Sequence, residues 1–111
     1  MAVQTKIASP TRKMAEFIAR ASYDDLPQEV RHAAKRYILD SITNQIGGSR
    51  IQAGKIILEI FEEMGGKPES TILATGKKVP CLHATYVNSA LNNLLDFDDC
   101  YLYISHPGAT I

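Results

Sequence analysis

The sequence predicts an all-α fold, a helical bundle fragment of about four helices with at most one short extended segment. Two observations support this prediction. Apolar residues recur at intervals of three and four over four separate stretches, which is the spacing that gives a helix one buried face. Proline, glycine and capping residues stand at the ends of those stretches, where they start and stop helices. A hydrophobic content of 45% in 111 residues is typical of one globular domain or of part of one.

The beginning of the chain predicts an arm followed by a first helix. Residues 1–8 show no periodic pattern and are predicted to be flexible, so the predicted domain covers residues 9–111. The first helix is predicted over residues 10–22. Ser9 offers a hydroxyl that can cap this helix, and Pro10 lacks the N–H group that the first turn leaves unpaired.

A second, longer helix is predicted over residues 27–46. Asp24 and Asp25 precede it, and their carboxylates favour the positive end of the helix dipole. Gly47 and Gly48 are expected to stop it, because glycine is common just past the last helical turn. The predicted buried face comprises Val30, Ala33, Ala34, Tyr37, Ile38, Ser41, Ile42 and Gln45.

The rest of the pattern predicts two further helices with a short extended segment between them. The third helix is predicted over residues 52–64, where Gly65 ends it. Residues 70–74 are predicted to be extended and residues 75–78 to form a polar turn, and the fourth helix spans residues 80–95. The predicted buried faces comprise Ala53, Ile56, Ile57, Ile60, Phe61 and Met64 on the third helix and Ala84, Val87, Ala90, Leu91, Leu94 and Leu95 on the fourth.

The charge and cysteine content exclude several classes of protein. Twelve basic residues balance twelve acidic ones without a basic block, which argues against nucleic acid and against an anionic membrane surface as partners. No apolar run approaches the length of a signal peptide core or a membrane span. Cys81 and Cys100 form no CxxC pattern and are expected to be reduced thiols. These observations predict a soluble, cytoplasmic protein.

The candidate chemistry is concentrated between Asp96 and His106. Asp96, Asp98 and Asp99 lie within four residues at the predicted end of the fourth helix, and neighbouring like charges make proton transfer possible for one of them. Apolar neighbours such as Phe97 predict partial burial of Asp96. The intervening loop is long enough to bring the His106 imidazole beside a carboxylate, which would give an acid/base pair.

Simpler interpretations of the same residues remain open. The acidic run is also typical of a solvated turn, and a single histidine before proline is often structural. A calcium loop of the EF-hand type starting at Asp96 is excluded, because its sixth and twelfth positions would be Tyr101 and Pro107. A looser metal site remains an alternative, although the prediction for this site is that it holds no metal and no cofactor.

The motifs also resemble those of a known family. The run LDFDD at residues 95–99, followed by His106 and Pro107, resembles the signature of the MmgE/PrpD family. That family includes 2-methylcitrate dehydratase, cis-aconitate decarboxylase and iminodisuccinate epimerase. The runs YILDS at residues 37–41 and ATYVNSAL at residues 84–91 are similar to family segments in the same order, so the resemblance covers nearly the whole chain.

The resemblance implies an enzyme with a large helical domain, of which this chain is the N-terminal part. By resemblance Asp96 and His106 match catalytic positions. Cys100 stands where family members often have threonine, which makes it a candidate substrate-binding residue. The implied reactions are those of a lyase or isomerase that moves a proton next to a carboxylate of a small di- or tricarboxylate, without a metal or an organic cofactor. Further active-site residues of the family are expected beyond Ile111.

Two hypotheses about function follow. The first is a partial MmgE/PrpD-like enzyme, incomplete because its last residues resemble the start of another helix. The second is a non-catalytic helical assembly module without a complete active site. Both predict exposed apolar helical faces and association into homo-oligomers, and the family resemblance implies a homodimer.

Overall fold

The computed structural model of the chain describes residues 9–100 and residue 106. Within that part of the chain, four α-helices and a small antiparallel sheet are present, and the predicted all-α class is confirmed. The helices are α1 (Pro10–Arg20), α2 (Gln28–Gly48), α3 (Gln52–Met64) and α4 (Cys81–Asn93). The strands are β1 (Ser70–Thr71) and β2 (Lys78–Val79). The second strand was not predicted.

Two sequence predictions lie outside the described residues. These are the flexible arm at residues 1–8 and the helix expected to begin after His106. The described residues divide into two compact units, with the boundary between Ala33 and Ala34 inside α2. No helix in the described part of the chain combines the length and the apolar content needed to span a membrane.

The first unit contains α1, which begins at Pro10 as predicted. Ser9 occupies the N-cap position, but its side chain makes no capping hydrogen bond. The prediction of a hydroxyl cap is therefore wrong, and the first helical hydrogen bond is accepted by the Ser9 carbonyl oxygen from the Lys13 N–H. No residue of α1 is buried. Large apolar side chains stand exposed on it, namely Met14, Phe17 and Ile18.

The turn before α2 is held by a carboxylate. The Ser22 hydroxyl and backbone N–H both donate to Asp25 Oδ2, at 2.7 and 3.2 Å. These two bonds lower the pKa of Asp25 below its usual value, the hydroxyl bond having the larger effect. Asp25 thus caps the turn through local bonds with Ser22. The Arg31 guanidinium lies 5.1 Å from the centre of the Tyr23 ring, within range of a cation–π contact.

The buried face of α2 is polar, and it contains two residues of the predicted face, Ser41 and Gln45. Ser41, Asn44 and Gln45 are buried, whereas Tyr37 and Ile38 are about half exposed. The Gln45 side-chain amide donates to the Ser41 hydroxyl at 3.2 Å, which satisfies part of this buried polar surface. Periodicity identifies which residues share a face. It does not identify which neighbours will cover that face, and here the covered part is the C-terminal half.

The glycines at the end of α2 serve a close approach of helices rather than helix termination. Gly47 and Gly48 lie inside the helix, two residues beyond its predicted end. A Cβ atom on Gly48 would overlap the Leu91 carbonyl oxygen of α4, and one on Gly54 of α3 would overlap the Gly48 carbonyl oxygen. The missing side chains therefore allow α3 and α4 to meet the end of α2, at the end of α4 that precedes the acidic residues.

The apolar core of the second unit lies between α4 and the β hairpin, with α3 packed beside it. The strands pair antiparallel, with Ser70 opposite Val79. The predicted α4 face is largely confirmed, although Leu95 is more than one-third exposed; on α3 only Ile57 and Phe61 of the predicted face are partly buried. The fully packed core residues are Ile72, Val79, Ala84, Val87 and Leu91.

One polar side chain ties the hairpin to α4. The Asn88 amide donates to the Thr71 carbonyl oxygen at 3.1 Å, and its oxygen accepts from the Leu73 N–H at 3.0 Å. These bonds satisfy backbone groups where the short β1 strand ends. They fix the hairpin against the same helix whose C-terminal end leads into the acidic segment.

Candidate functional site

The acidic segment begins where α4 ends. The last helical residue is Asn93, and the Leu94 N–H still bonds to the Ala90 carbonyl oxygen. Asp96 then has a φ of 49°, the left-handed region in which aspartate and asparagine are among the few non-glycine residues found. Its N–H donates to the Asn93 carbonyl oxygen at 3.0 Å. This turn redirects the chain so that the carboxylates follow one another outside the helix.

Asp96 and Asp98 differ sharply in burial. The Asp98 side chain is 1% exposed, and that of Asp96 is 85% exposed. The prediction that apolar neighbours bury Asp96 is wrong, because Phe97 is itself 80% exposed and shields nothing. The buried carboxylate is the one that follows Phe97.

His106 lies between these two carboxylates. Its Nε2 is 3.8 Å from Asp96 Oδ1, and its Nδ1 is 3.3 Å from Asp98 Oδ1. The shorter contact is close enough for electrostatic attraction but does not have the geometry of a hydrogen bond. The predicted approach of an imidazole to a carboxylate is therefore observed, with Asp98 as an additional neighbour.

Polar atoms of this cluster remain without partners. Asp98 Oδ2 and His106 Nδ1 are both buried, and neither has a hydrogen-bond partner in the described part of the chain. Asp98 Oδ1 accepts a long bond of 3.5 Å from the Asn93 side-chain amide. Burying a carboxylate with so few hydrogen bonds is unfavourable. Buried polar groups without partners are few in native proteins, and a catalytic role or a bound ion is among the explanations for them.

The remaining residues of the predicted site are less central. Cys100, the predicted substrate-binding residue, is exposed, and its thiol is not among the groups that meet at His106. Asp99 is half-buried next to it. From Val79 to Ile111 the sequence contains neither lysine nor arginine. A negatively charged substrate at His106 would therefore need cationic groups from elsewhere.

The arrangement can hold or move a proton, and it also offers three ligand atoms to a cation. One oxygen from each of Asp96 and Asp98 and one nitrogen from His106 lie within 4.8 Å of one another. An imidazole beside a buried carboxylate is a common unit for acid/base chemistry, because the carboxylate orients the ring. Together with the fold, these features define a helical domain that presents a carboxylate–imidazole cluster at the end of a core helix.

Comparison with known protein families agrees with this definition. Residues 12–111 match the MmgE/PrpD N-terminal domain, and the chain therefore belongs to the MmgE/PrpD family. No curated protein and no solved structure matches the chain.

Sequence reasoning did not single out two of the residues that form this cluster. Asp98 was recognised as one of three neighbouring carboxylates but not as the buried one, and Asn93 was assigned only to the helix. The spacing of five residues between Asn93 and Asp98 carries no helical signal, because the helix ends between them. The sequence offered one signal for these residues, which is the mixture of polar and apolar side chains around the end of α4.

Proposed function

We propose that the chain forms part of the active site of a lyase or isomerase that moves a proton next to a carboxylate of a small di- or tricarboxylate. Dehydration, decarboxylation and epimerisation all belong to this class of reaction. The family membership supports the proposal. The observation that carries it is the position of His106, whose ring nitrogens lie 3.8 and 3.3 Å from the carboxylates of Asp96 and Asp98.

In this proposal the three side chains have different roles. Asp98, which is buried, positions the imidazole from its Nδ1 side. His106 is the general base that removes the proton through Nε2. Asp96, which is exposed, can exchange a proton with Nε2 after a shift of roughly 1 Å to hydrogen-bond distance. Cys100 is a candidate contact for the substrate, as a weaker hydrogen-bond donor than a hydroxyl.

The cationic groups that hold the substrate carboxylates come from outside residues 79–111 in this proposal, since that stretch has no lysine or arginine. We expect further segments of the same gene product, or a second copy in a homodimer, to supply them. The reaction needs no resident metal or organic cofactor, and the protein acts in the cytoplasm.

Solvent deuterium incorporation tests the proposal for all three reaction types at once. The complete gene product is incubated in D₂O with a panel of citrate-like di- and tricarboxylates. We expect deuterium at the carbon next to a carboxylate in the recovered substrate or the product. Asp96→Asn and His106→Gln should slow the exchange by about 10²–10⁴-fold, the contribution typical of a general acid or base. Asparagine suits position 96 because it also tolerates a positive φ.

The control is His32→Gln, which changes an exposed histidine of α2 and should leave the exchange rate unchanged. Exchange at the wild-type rate in both Asp96→Asn and His106→Gln would refute the assigned roles. A complete gene product that exchanges no acid of the panel would refute the proposed reaction class.

The alternative function is a non-catalytic assembly module. The exposed apolar side chains of α1 favour it, because Met14, Phe17 and Ile18 are each more than 60% exposed. In that case the chain should self-associate in light scattering, and Phe17→Ser should shift it toward the monomer. A monomer at all concentrations would remove this alternative.

A further inference from the structure

We infer that Asp96, Asp98 and His106 form a binding site for a divalent transition-metal cation of the zinc class. One ligand atom from each residue lies within 4.8 Å of the other two. Three atoms so spaced all lie within about 2.8 Å of one common point, and zinc bonds to oxygen and nitrogen are about 2.0–2.2 Å long. An inward shift of roughly 0.7 Å per ligand therefore gives coordination distances.

A second observation, independent of the spacing, points to a ligand. The Asp98 side chain is 1% exposed, and its Oδ2 has no hydrogen-bond partner in the described part of the chain. The His106 Nδ1 is also buried and without such a bond. A buried carboxylate is normally paired or bound to a metal, because it has left its water shell. A cation at the cluster would add a charged partner to the two contacts that Asp98 Oδ1 makes with the Asn93 amide and the His106 ring.

The ligands can make the required shift without a change of fold. The Asp98 side chain is buried, whereas the Asp96 side chain is 85% exposed. An exposed aspartate can exchange rotamers with little resistance from its neighbours. Asp96 can therefore close onto a cation that Asp98 and His106 already hold.

The donor set selects the class of cation. Magnesium and calcium prefer six or more oxygen ligands, and this cluster offers two carboxylates and an imidazole nitrogen. Imidazole favours zinc and its neighbours among the transition metals. Three protein ligands leave a coordination position for water. The cation would occupy side chains to which the proposed function assigns proton transfer and ring positioning.

Metal binding should consequently inhibit proton transfer at this site. That consequence depends on the proposed function, whereas the binding itself does not. The two claims therefore need separate measurements on the same residues.

Isothermal titration of Zn²⁺ into the chain tests the binding. Both exposed thiols are first removed as Cys81→Ser and Cys100→Ser, because thiolates bind zinc by themselves. We expect one site per chain, weakened about tenfold or more by Asp98→Asn and by His106→Gln, with Mg²⁺ binding far more weakly. Asp96→Asn should also weaken zinc binding. This variant changes an exposed side chain, so the loss of affinity cannot come from unfolding.

The matched controls are Asp24→Asn and His32→Gln, an exposed carboxylate and an exposed imidazole away from the cluster. Equal zinc affinity in the parent and in the three site variants would overturn the inference, as would the absence of binding at millimolar Zn²⁺. Zinc binding without any deuterium exchange by the complete gene product would refute only the proposed function. Exchange without zinc binding would refute only this inference.

Discussion

The core of α4 and the acidic segment after it each contain a fully buried side chain, but the two side chains differ in chemistry. Leu91 is fully buried in the core, and seven residues later the Asp98 side chain is 1% exposed. Burying leucine is favourable because it removes apolar surface from water. Burying a carboxylate is unfavourable unless it is paired, and Asp98 has one long hydrogen bond and an unaligned contact with His106.

The difference indicates what each region is for. Ala84, Val87 and Leu91 pack with the apolar residues of the hairpin, which stabilises the helix against it. Asp98 adds no comparable stabilisation, so its burial fits a role in positioning His106 better than a role in folding. The core therefore provides the rigid support, and the segment after it provides the polar groups.

Removing a core side chain should produce the largest change. Leu91→Ala deletes a fully buried side chain of α4 and should lower the free energy of unfolding by about 2–5 kcal/mol. Leu82→Ala is the matched control, since Leu82 is on the same helix and 82% exposed; its effect should stay within about 0.5 kcal/mol. Urea denaturation measures both. Similar losses in the two variants would contradict the assignment of the core.

A smaller loss is expected at the contact between α2 and α4. Gly48→Ala places a Cβ against the Leu91 carbonyl oxygen, and the resulting overpacking should cost about 1–3 kcal/mol. In Gly47→Ala the new Cβ lies 2.8 Å from the movable end of the Leu95 side chain, so the helix should be nearly unaffected or stabilised. A Gly48→Ala variant as stable as Gly47→Ala would show that the close approach is not needed.

The smallest expected effect concerns an exposed carboxylate, that of Asp25, whose Oδ2 accepts two hydrogen bonds, in contrast to Asp98. Ser22→Ala removes the hydroxyl bond that holds the pKa of Asp25 low, so this pKa should rise toward 3.8. The pKa of Asp25 is lower in the folded chain than in the unfolded chain. The bond therefore contributes stability at pH values above the pKa of the unfolded chain, and that contribution is lost as the pH falls below about 4.

A carboxyl-carbon NMR titration measures the shift in the pKa of Asp25. Ser9→Ala is the control, because Ser9 makes no capping bond and its loss should leave Asp25 unchanged. No shift in Ser22→Ala would mean that the backbone N–H of Ser22 alone determines this pKa.

Helix positions were largely predictable from the sequence because their ends carry local signals. The predicted third helix coincides with α3, since Gly65 adopts a φ of 59° that ends it. The β2 strand was missed because two residues are too few to form an alternating pattern. The glycines of α2 were misinterpreted because a close helix contact depends on tertiary structure, which local spacing does not contain.

The site was predictable in composition and not in arrangement. The sequence identifies Asp96, Asp98 and His106 as neighbours along the chain. Which carboxylate is buried depends on the turn at Asp96, where a φ of 49° reverses the direction that helical continuation would give. A local pattern cannot report such a turn, so the predicted burial of Asp96 was wrong and that of Asp98 was not foreseen.

The most direct test of the account is the tautomer of the His106 ring, observed by ¹⁵N NMR of the imidazole nitrogens. If Asp98 positions the ring, the neutral form should carry its proton on Nδ1, which faces Asp98 at 3.3 Å. Asp98→Asn should change this tautomer preference, and Asp96→Asn should leave it unchanged. A proton on Nε2 in the unmodified chain, or a preference that responds to Asp96→Asn alone, would contradict the account.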